Sequence, residues 1–193
     1  NDWVVSVDSD GAIISPTISG AGTQAATISG GPTNSNIEII AKVNKSSGSV
    51  RTKTLVETTI TKQVESDGTG TTFIKLDKPD LFKLDRLRDS DSDGADRISD
   101  FIIDNGQRDN WYGPARLILK GDKAAPSGNV FARFRYFTHG ASGDFFAVNS
   151  YTGQVNFADI PSHTLNDGSV IPLTDVLDFR PRKTDRDSDF TGG

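Results

Sequence analysis

The acidic residues of this chain are lopsided: of 26 carboxylates, 23 are Asp and 3 are Glu (Glu38, Glu57 and Glu65). Glu is comfortable inside helices. Asp competes with the backbone through short-range hydrogen bonds and favours caps and turns. Together with 19 Gly and 8 Pro in 193 residues, this argues against a mainly helical protein, and with it against coiled coils and helical bundles. The fold class that remains is mainly β, antiparallel and sandwich-like, with long ordered loops and at most short helical turns.

A hydrophobic content of 34%, with 11 Phe, is enough for the core of one large domain or two small ones. No run of about 18 apolar residues occurs, so no membrane insertion is expected. A net charge of −5 gives no reason to expect nucleic acid as a partner. The absence of Cys removes disulfides, thiolate metal sites and cysteine nucleophiles. Met is absent too, and a chain opening at Asn1-Asp2-Trp3 is expected to be an excised piece of a larger protein.

Along the chain, Trp3–Val7 reads as a strand closed by the turn Asp8-Ser-Asp-Gly11, and Ala25–Ile28 as another. In Ile37–Val43, the residues Ile37, Ile39, Ala41 and Val43 share one face, the period of a half-buried strand. Val50–Val64 is the longest alternation. It sets Val56, Ile60 and Val64, with Thr54 and Thr58, against Arg51, Lys53, Glu57 and Gln63. Seven β-branched residues between Thr52 and Thr61 favour a strand over an amphipathic helix. Ser66–Gly70, with its Asp67-Gly-Thr-Gly turn, marks a candidate boundary. The domains are accordingly drawn as an N-terminal β-rich segment (1–66), a sandwich-like domain (67–182) and a flexible tail or linker (183–193). In the second domain Phe73–Leu76, Ile98–Ile103, Ala115–Leu119, Val130–Phe137, Phe145–Val148 and Gly153–Phe157 read as strands. Asp80–Arg88 reads as one or two helical turns with Asp80 as N-cap. From Asp159 onward three prolines predict irregular structure.

The sharpest motif is Asp89-Ser-Asp91-Ser-Asp93-Gly94-Ala-Asp-Arg-Ile-Ser-Asp100, which fits the D-x-D-x-D-G-x₅-[D/E] spacing of a calcium loop. Asp89, Asp91, Asp93 and Asp100 are the candidate Ca²⁺ ligands, with the Ala95 carbonyl. Against calcium stand the short Asp100 at the twelfth position, the polar Asp96, and a following Phe-Ile-Ile that reads as a strand. The competing reading is a solvated acidic turn. His139 and His163 have no second histidine at ligand spacing, so they read as surface or loop residues. No G-x-S-x-G elbow, phosphate-cradling loop or paired catalytic carboxylates stand out. Trp111-Tyr112 reads as an anchor of its loop on the core, and Leu177-Asp-Phe-Arg-Pro-Arg182 as an extended segment fixed by an Arg–Asp pair. No catalytic residue is assigned.

Four segments, taken in order, resemble a domain of large virion structural proteins from contractile-tailed phages, notably those infecting cyanobacteria. They are Asp104-Asn-Gly-Gln-Arg-Asp-Asn-Trp-Tyr112, Thr138-His-Gly-Ala-Ser-Gly-Asp-Phe-Phe-Ala-Val-Asn-Ser-Tyr151, Phe157-Ala-Asp-Ile-Pro-Ser162 and Leu173-Thr-Asp-Val-Leu-Asp-Phe-Arg-Pro-Arg182. The resemblance spans about residues 50–182. It implies a non-enzymatic role in the virion, in a tail, baseplate or tail fibre, with other tail or baseplate subunits, or further copies of the chain, as partners. Within these segments Asp104, Asp109 and Asp178 are placed to pair with arginines such as Arg108 and Arg180. The alternative functions are a calcium-dependent carbohydrate-binding or adhesin module, and last a glycan hydrolase.

Overall fold

A computed structural model describes residues 3–7, 11–20, 25–42, 47–183 and 190–191. The chain is mainly β. Its strand ladders are antiparallel, and short 3₁₀ turns are the only helical structure among the described residues. It divides into two compact units, Asn1–Ser47 and Gly48–Gly193.

In the first unit β1 (Trp3–Val7) pairs with β2 (Ile13–Ile14) on one side. β3 (Thr17–Ser19) and β4 (Thr27–Ser29) form a separate hairpin. β5 (Ile37–Ala41) flanks the other side of β1. Val5, in the central strand, is buried. The expected inward face of β5 is not covered, since Ile37 and Ile39 are exposed, and Val43 lies outside the described residues. Gly11 closes the first turn in a left-handed conformation, its N–H donating to the Val7 carbonyl; Asp8–Asp10 lie outside the described residues.

The unit boundary falls after Ser47, not after Ser66 as expected. The reason is β6 (Lys53–Lys62), which pairs residue for residue with a distant strand, Val130–His139. Residues 48–66 are therefore bound into the second unit. That unit also contains β7 (Glu65–Ser66), β8 (Thr72–Pro79), β9 (Leu81–Asp89), β10 (Phe101–Asp104), β11 (Pro114–Leu119), β12 (Val130–His139), β13 (Ser162–Thr164) and β14 (Val170–Pro172). In the C-terminal stretch β15 (Arg182–Lys183) pairs with β16 (Phe190–Thr191), while the Asp185–Asp189 part of the expected tail lies outside the described residues.

One sheet has the order β6-β12-β9 and the other β10-β11-β8-β7. The chain crosses between them at Asp80, so β8 and β9 are consecutive in sequence but belong to different sheets. Ile74 and Leu76 of β8, Phe101 of β10, and Ala115 and Leu117 of β11 pack on Leu81, Leu84 and Leu87 of β9 and on Val130, Ala132, Phe134 and Tyr136 of β12. Each fully buried large side chain stabilises the fold by about 1.5–3 kcal/mol relative to exposure. The arrangement is sandwich-like.

Leu81–Asp89 corrects the helical reading. Leu81, Leu84 and Leu87 recur every third residue, which fits a helix, yet all three face the core from a strand. Two register shifts against β12 make this possible. Arg133 pairs with Arg86 and Phe134 with Leu84, passing over Asp85; Arg135 pairs with Lys83 and Tyr136 with Leu81, passing over Phe82. Each bulge inserts one residue and returns the next leucine to the inner face. The stretch read as a strand at Phe145–Val148 forms only single bridges, at Phe145 and Phe146, before the 3₁₀ turn Val148–Tyr151. Ile98–Asp100 is a 3₁₀ turn ahead of β10. The stretch read as a strand at Gly153–Phe157 is a turn that leads into the 3₁₀ turn Phe157–Asp159.

Candidate functional site

The acidic loop after β9 supplies its own cation. Arg97 Nη1 donates to both carboxylate oxygens of Asp89, at 3.2 and 3.3 Å, and Arg97 Nε donates to Asp100 Oδ2 at 2.6 Å. Asp91 Oδ1 accepts from the Asp93 backbone N–H at 2.9 Å, an ordinary Asx turn. Among the described residues no three acidic or histidine side chains converge as a metal would require. In this arrangement Asp89 and Asp100 are paired with Arg97 and Asp91 caps its own turn. Gly94 is needed for packing, since a Cβ there would lie 1.7 Å from the Asp89 carbonyl oxygen.

A different cluster lies inside the second unit. Lys53 opens β6, and His139 closes β12 directly opposite it. Asp80 forms the corner between the sheets with φ +52. Gln107 and Tyr112 bridge to each other within the β10–β11 loop, and Asp178 and Arg180 come from the extended stretch after β14. Lys53 is 1% exposed, Asp80 1% and Tyr112 0%.

The contacts are specific. Lys53 Nζ donates to Asp80 Oδ2 at 2.6 Å and to the Tyr112 hydroxyl at 3.1 Å. Asp80 Oδ2 also meets His139 Nε2 at 3.0 Å, and Asp80 Oδ1 accepts from Gln107 Nε2 at 2.9 Å. The Tyr112 hydroxyl donates to Asp178 and accepts from Arg180 Nη2 at 2.9 Å. Arg180 forks onto Asp178 through Nε and Nη2, at 2.9 and 2.8 Å, and reaches the Arg108 carbonyl and Gln107 Oε1. Lys53 Nζ is caged by the rings of Tyr112, Phe146 and Tyr151, at 4.5, 4.7 and 5.0 Å from their centroids. Backbone bonds tie the same segments together. Phe146 and Asp178 exchange N–H and carbonyl at 2.8 Å each way, and Tyr112 N–H donates to the Pro181 carbonyl at 2.8 Å. Gly106, at φ +82, lets the loop bearing Gln107 close, since a Cβ there would be 2.2 Å from the Gly113 carbonyl oxygen.

The histidines are not surface residues. His139 is in this cluster, and its Nδ1 is buried without a hydrogen-bond partner. His163 is buried and pairs with Asp109 at 3.1 Å, in place of the arginine partner expected for Asp109. Beside it a cavity of about 420 Å³ is lined mainly by Ile171, Leu173, Val176, Leu177 and Phe179. Two expected pairings do form. Arg108 forks onto Asp104 at 2.8 and 2.7 Å, and Arg180 holds Asp178. Tyr112 is the expected anchor, fully buried.

Burial drives the ionisation of the cluster. It lowers the pKa of Lys53 despite the attraction of Asp80, and lowers that of His139 despite its contact with Asp80. It would raise Asp178, but the Arg180 guanidinium and the Tyr112 hydroxyl outweigh it and hold that carboxyl below the usual range. Tyr112 and Tyr151 are pushed up, first by burial and then by the nearby carboxylates. His139 and Asp178 thus bind fewer protons folded than unfolded, so each contributes stability that is lost as pH falls. On acidification from about pH 7 the urea midpoint is expected to fall through the ordinary histidine range near 6.5 and to fall again below about pH 4, where unfolded carboxylates protonate. A midpoint that rose on acidification would contradict this assignment.

The chain matches no known protein family, no curated protein and no solved structure.

Proposed function

We propose that this chain is a non-enzymatic structural module of a contractile-tailed phage virion, in the tail, baseplate or tail fibre, acting through protein–protein contacts. One observation carries the reading. Three of the four phage-like segments supply all of the buried cluster except Lys53 and Asp80: Gln107 and Tyr112 from the first, His139, Phe146 and Tyr151 from the second, Asp178 and Arg180 from the fourth. The residues on which the resemblance rests are thus used to bind loops to one another. Their charged groups face one another inside the fold, and a substrate would find little of them exposed.

Surfaces suited to neighbouring subunits accompany it. Ile102 and Ile103 are about half exposed on β10, the last strand of its sheet, and Leu177 and Phe179 are more exposed still. Exposed apolar residues in company mark contact sites more often than isolated ones do. Electron microscopy of virions labelled with an antibody against this chain is expected to place label on tails or baseplates; label absent from both would sink the proposal. The adhesin alternative needs calcium to displace Arg97 from Asp89 and Asp100. A calcium-dependent rise in melting temperature would favour it.

A further inference from the structure

We propose that Lys53 and Asp80 become joined by an intramolecular amide, Nζ to Cγ, with loss of one water. The proposal stands on the geometry of the cluster, whatever assembly the chain serves. A buried amine and a buried carboxyl lie 2.6 Å apart, nitrogen to oxygen. Three aromatic rings cover the nitrogen and both side chains are almost wholly removed from solvent. Condensation of an amine with a carboxylic acid is slow in water because both are ionised and water is in excess. Here both obstacles are reduced. Fixing the two groups in contact is worth an effective concentration of roughly 10⁵–10⁸ M when the geometry is favourable. Burial favours the neutral amine of Lys53, while against burial Lys53 and His139 hold the Asp80 carboxyl below the usual carboxylate range, so the acid it needs comes from the proton that Lys53 itself hands over.

The atoms balance without a co-reactant. A proton passes from Nζ to Oδ2, turning ammonium and carboxylate into amine and carboxylic acid with no change in net charge. The amine lone pair then attacks Cγ. As the C–N bond forms, the carbonyl electrons move onto Oδ1, where the Gln107 Nε2–H, already at 2.9 Å, stabilises the developing charge. His139 Nε2, 3.0 Å from Oδ2, takes the excess proton from the new nitrogen centre and delivers it to Oδ2. The Cγ–Oδ2 bond breaks and Oδ2 leaves as water with two protons. The three hydrogens of the ammonium are then one on the amide and two in the water. No partner fixes the proton on His139 Nδ1, so the ring can carry it on either nitrogen, as a shuttle requires. In the product Oδ1 keeps its bond to Gln107 and the amide N–H faces the Tyr112 hydroxyl. The link ties the start of β6 to the corner where the chain changes sheets.

The test is intact mass spectrometry of the purified, denatured full chain, followed by peptide mapping. The expected result is a mass one water below that of the sequence, and a branched peptide joining the segments that contain Lys53 and Asp80, with no tryptic cleavage after Lys53. Lys53→Met and Asp80→Ala should each restore the full mass. In His139→Gln, which keeps both reacting groups, linkage followed by mass from the moment of synthesis should be slowed roughly 100-fold. Full sequence mass in the aged wild-type chain would overturn the proposal, and that reading does not depend on any variant folding. A water loss that persisted in Lys53→Met would also overturn it, because it would mark cyclisation at an aspartate instead.

Discussion

Asp80→Ala is expected to lower the stability of the second unit by about 3–5 kcal/mol, the usual consequence of removing one partner from a buried ion pair. Three buried donors lose their acceptor together: Lys53 Nζ, His139 Nε2 and Gln107 Nε2. None can readily turn to water, since the side chains of Lys53, His139 and Gln107 are almost wholly buried. The backbone adds to this. Asp80 adopts φ +52, a left-handed conformation that Asp tolerates better than Ala does, and the difference costs on the order of 1 kcal/mol. Loss of the amide adds a further contribution, because a covalent link across the 27 residues that separate the pair would restrict the unfolded chain by about 3 kcal/mol. Urea denaturation followed by tyrosine or tryptophan fluorescence measures the sum. A loss below about 1 kcal/mol would show that the corner does not depend on this carboxylate.

The same substitution on a Lys53→Met background should cost much less. Methionine fills a similar volume and carries no charge to strand, and a buried pair replaced by apolar groups is often no less stable. The difference between the two backgrounds is the coupling of Lys53 to Asp80, and contacting residues in one network couple by about 0.5–3 kcal/mol or, where a covalent bond joins them, more.

Much of the sheet framework was legible because the strands carry their own signal. The β-branched run in β6 and the apolar density of Val130–Phe137 in β12 announce strands, and the structure turns Val130, Phe134 and Tyr136 to the core. β9 was illegible for a definite reason. Its leucines recur every third residue, and that period arises from two bulges whose positions are set by the partner strand. Lys53 sits on what alternation marks as the polar face of β6. It is buried because Phe146 and Tyr151, about a hundred positions away, cover that face. No window around Lys53 contains that information. The acidic loop shows the converse limit. Its spacing counts carboxylates but not the cation that lies inside the motif, and in the structure Arg97 bridges Asp89 and Asp100. Asp178 and Arg180 were legible as a pair because they are two residues apart; that they are also the hub for Tyr112 and Gln107 was not.

Arg180→Ala is the second large effect, and it should differ in kind. Arg180 joins the 173–182 stretch to the rest of the cluster through the Arg108 carbonyl, Gln107 Oε1 and the Tyr112 hydroxyl, while it holds Asp178 within the stretch. Its removal leaves Asp178 buried without its cation, again a penalty of about 3–5 kcal/mol. Unlike Asp80, however, Asp178 lies in an extended stretch with no ladder on a main sheet. Its carboxylate can escape to water if that stretch lifts away, which breaks the two backbone hydrogen bonds to Phe146. The variant is therefore expected to open locally before it unfolds globally. Amide exchange should quicken by several powers of ten in residues 173–182 and at Phe146, while β8, β11 and β12 stay protected. Arg180→Lys should not rescue it, because a single ammonium cannot reproduce a planar fork that satisfies four partners at once. Equal loss of protection in β12 would mean that the C-terminal stretch and the sandwich open as one cooperative unit, and that Arg180 holds the sheets as well as the loop.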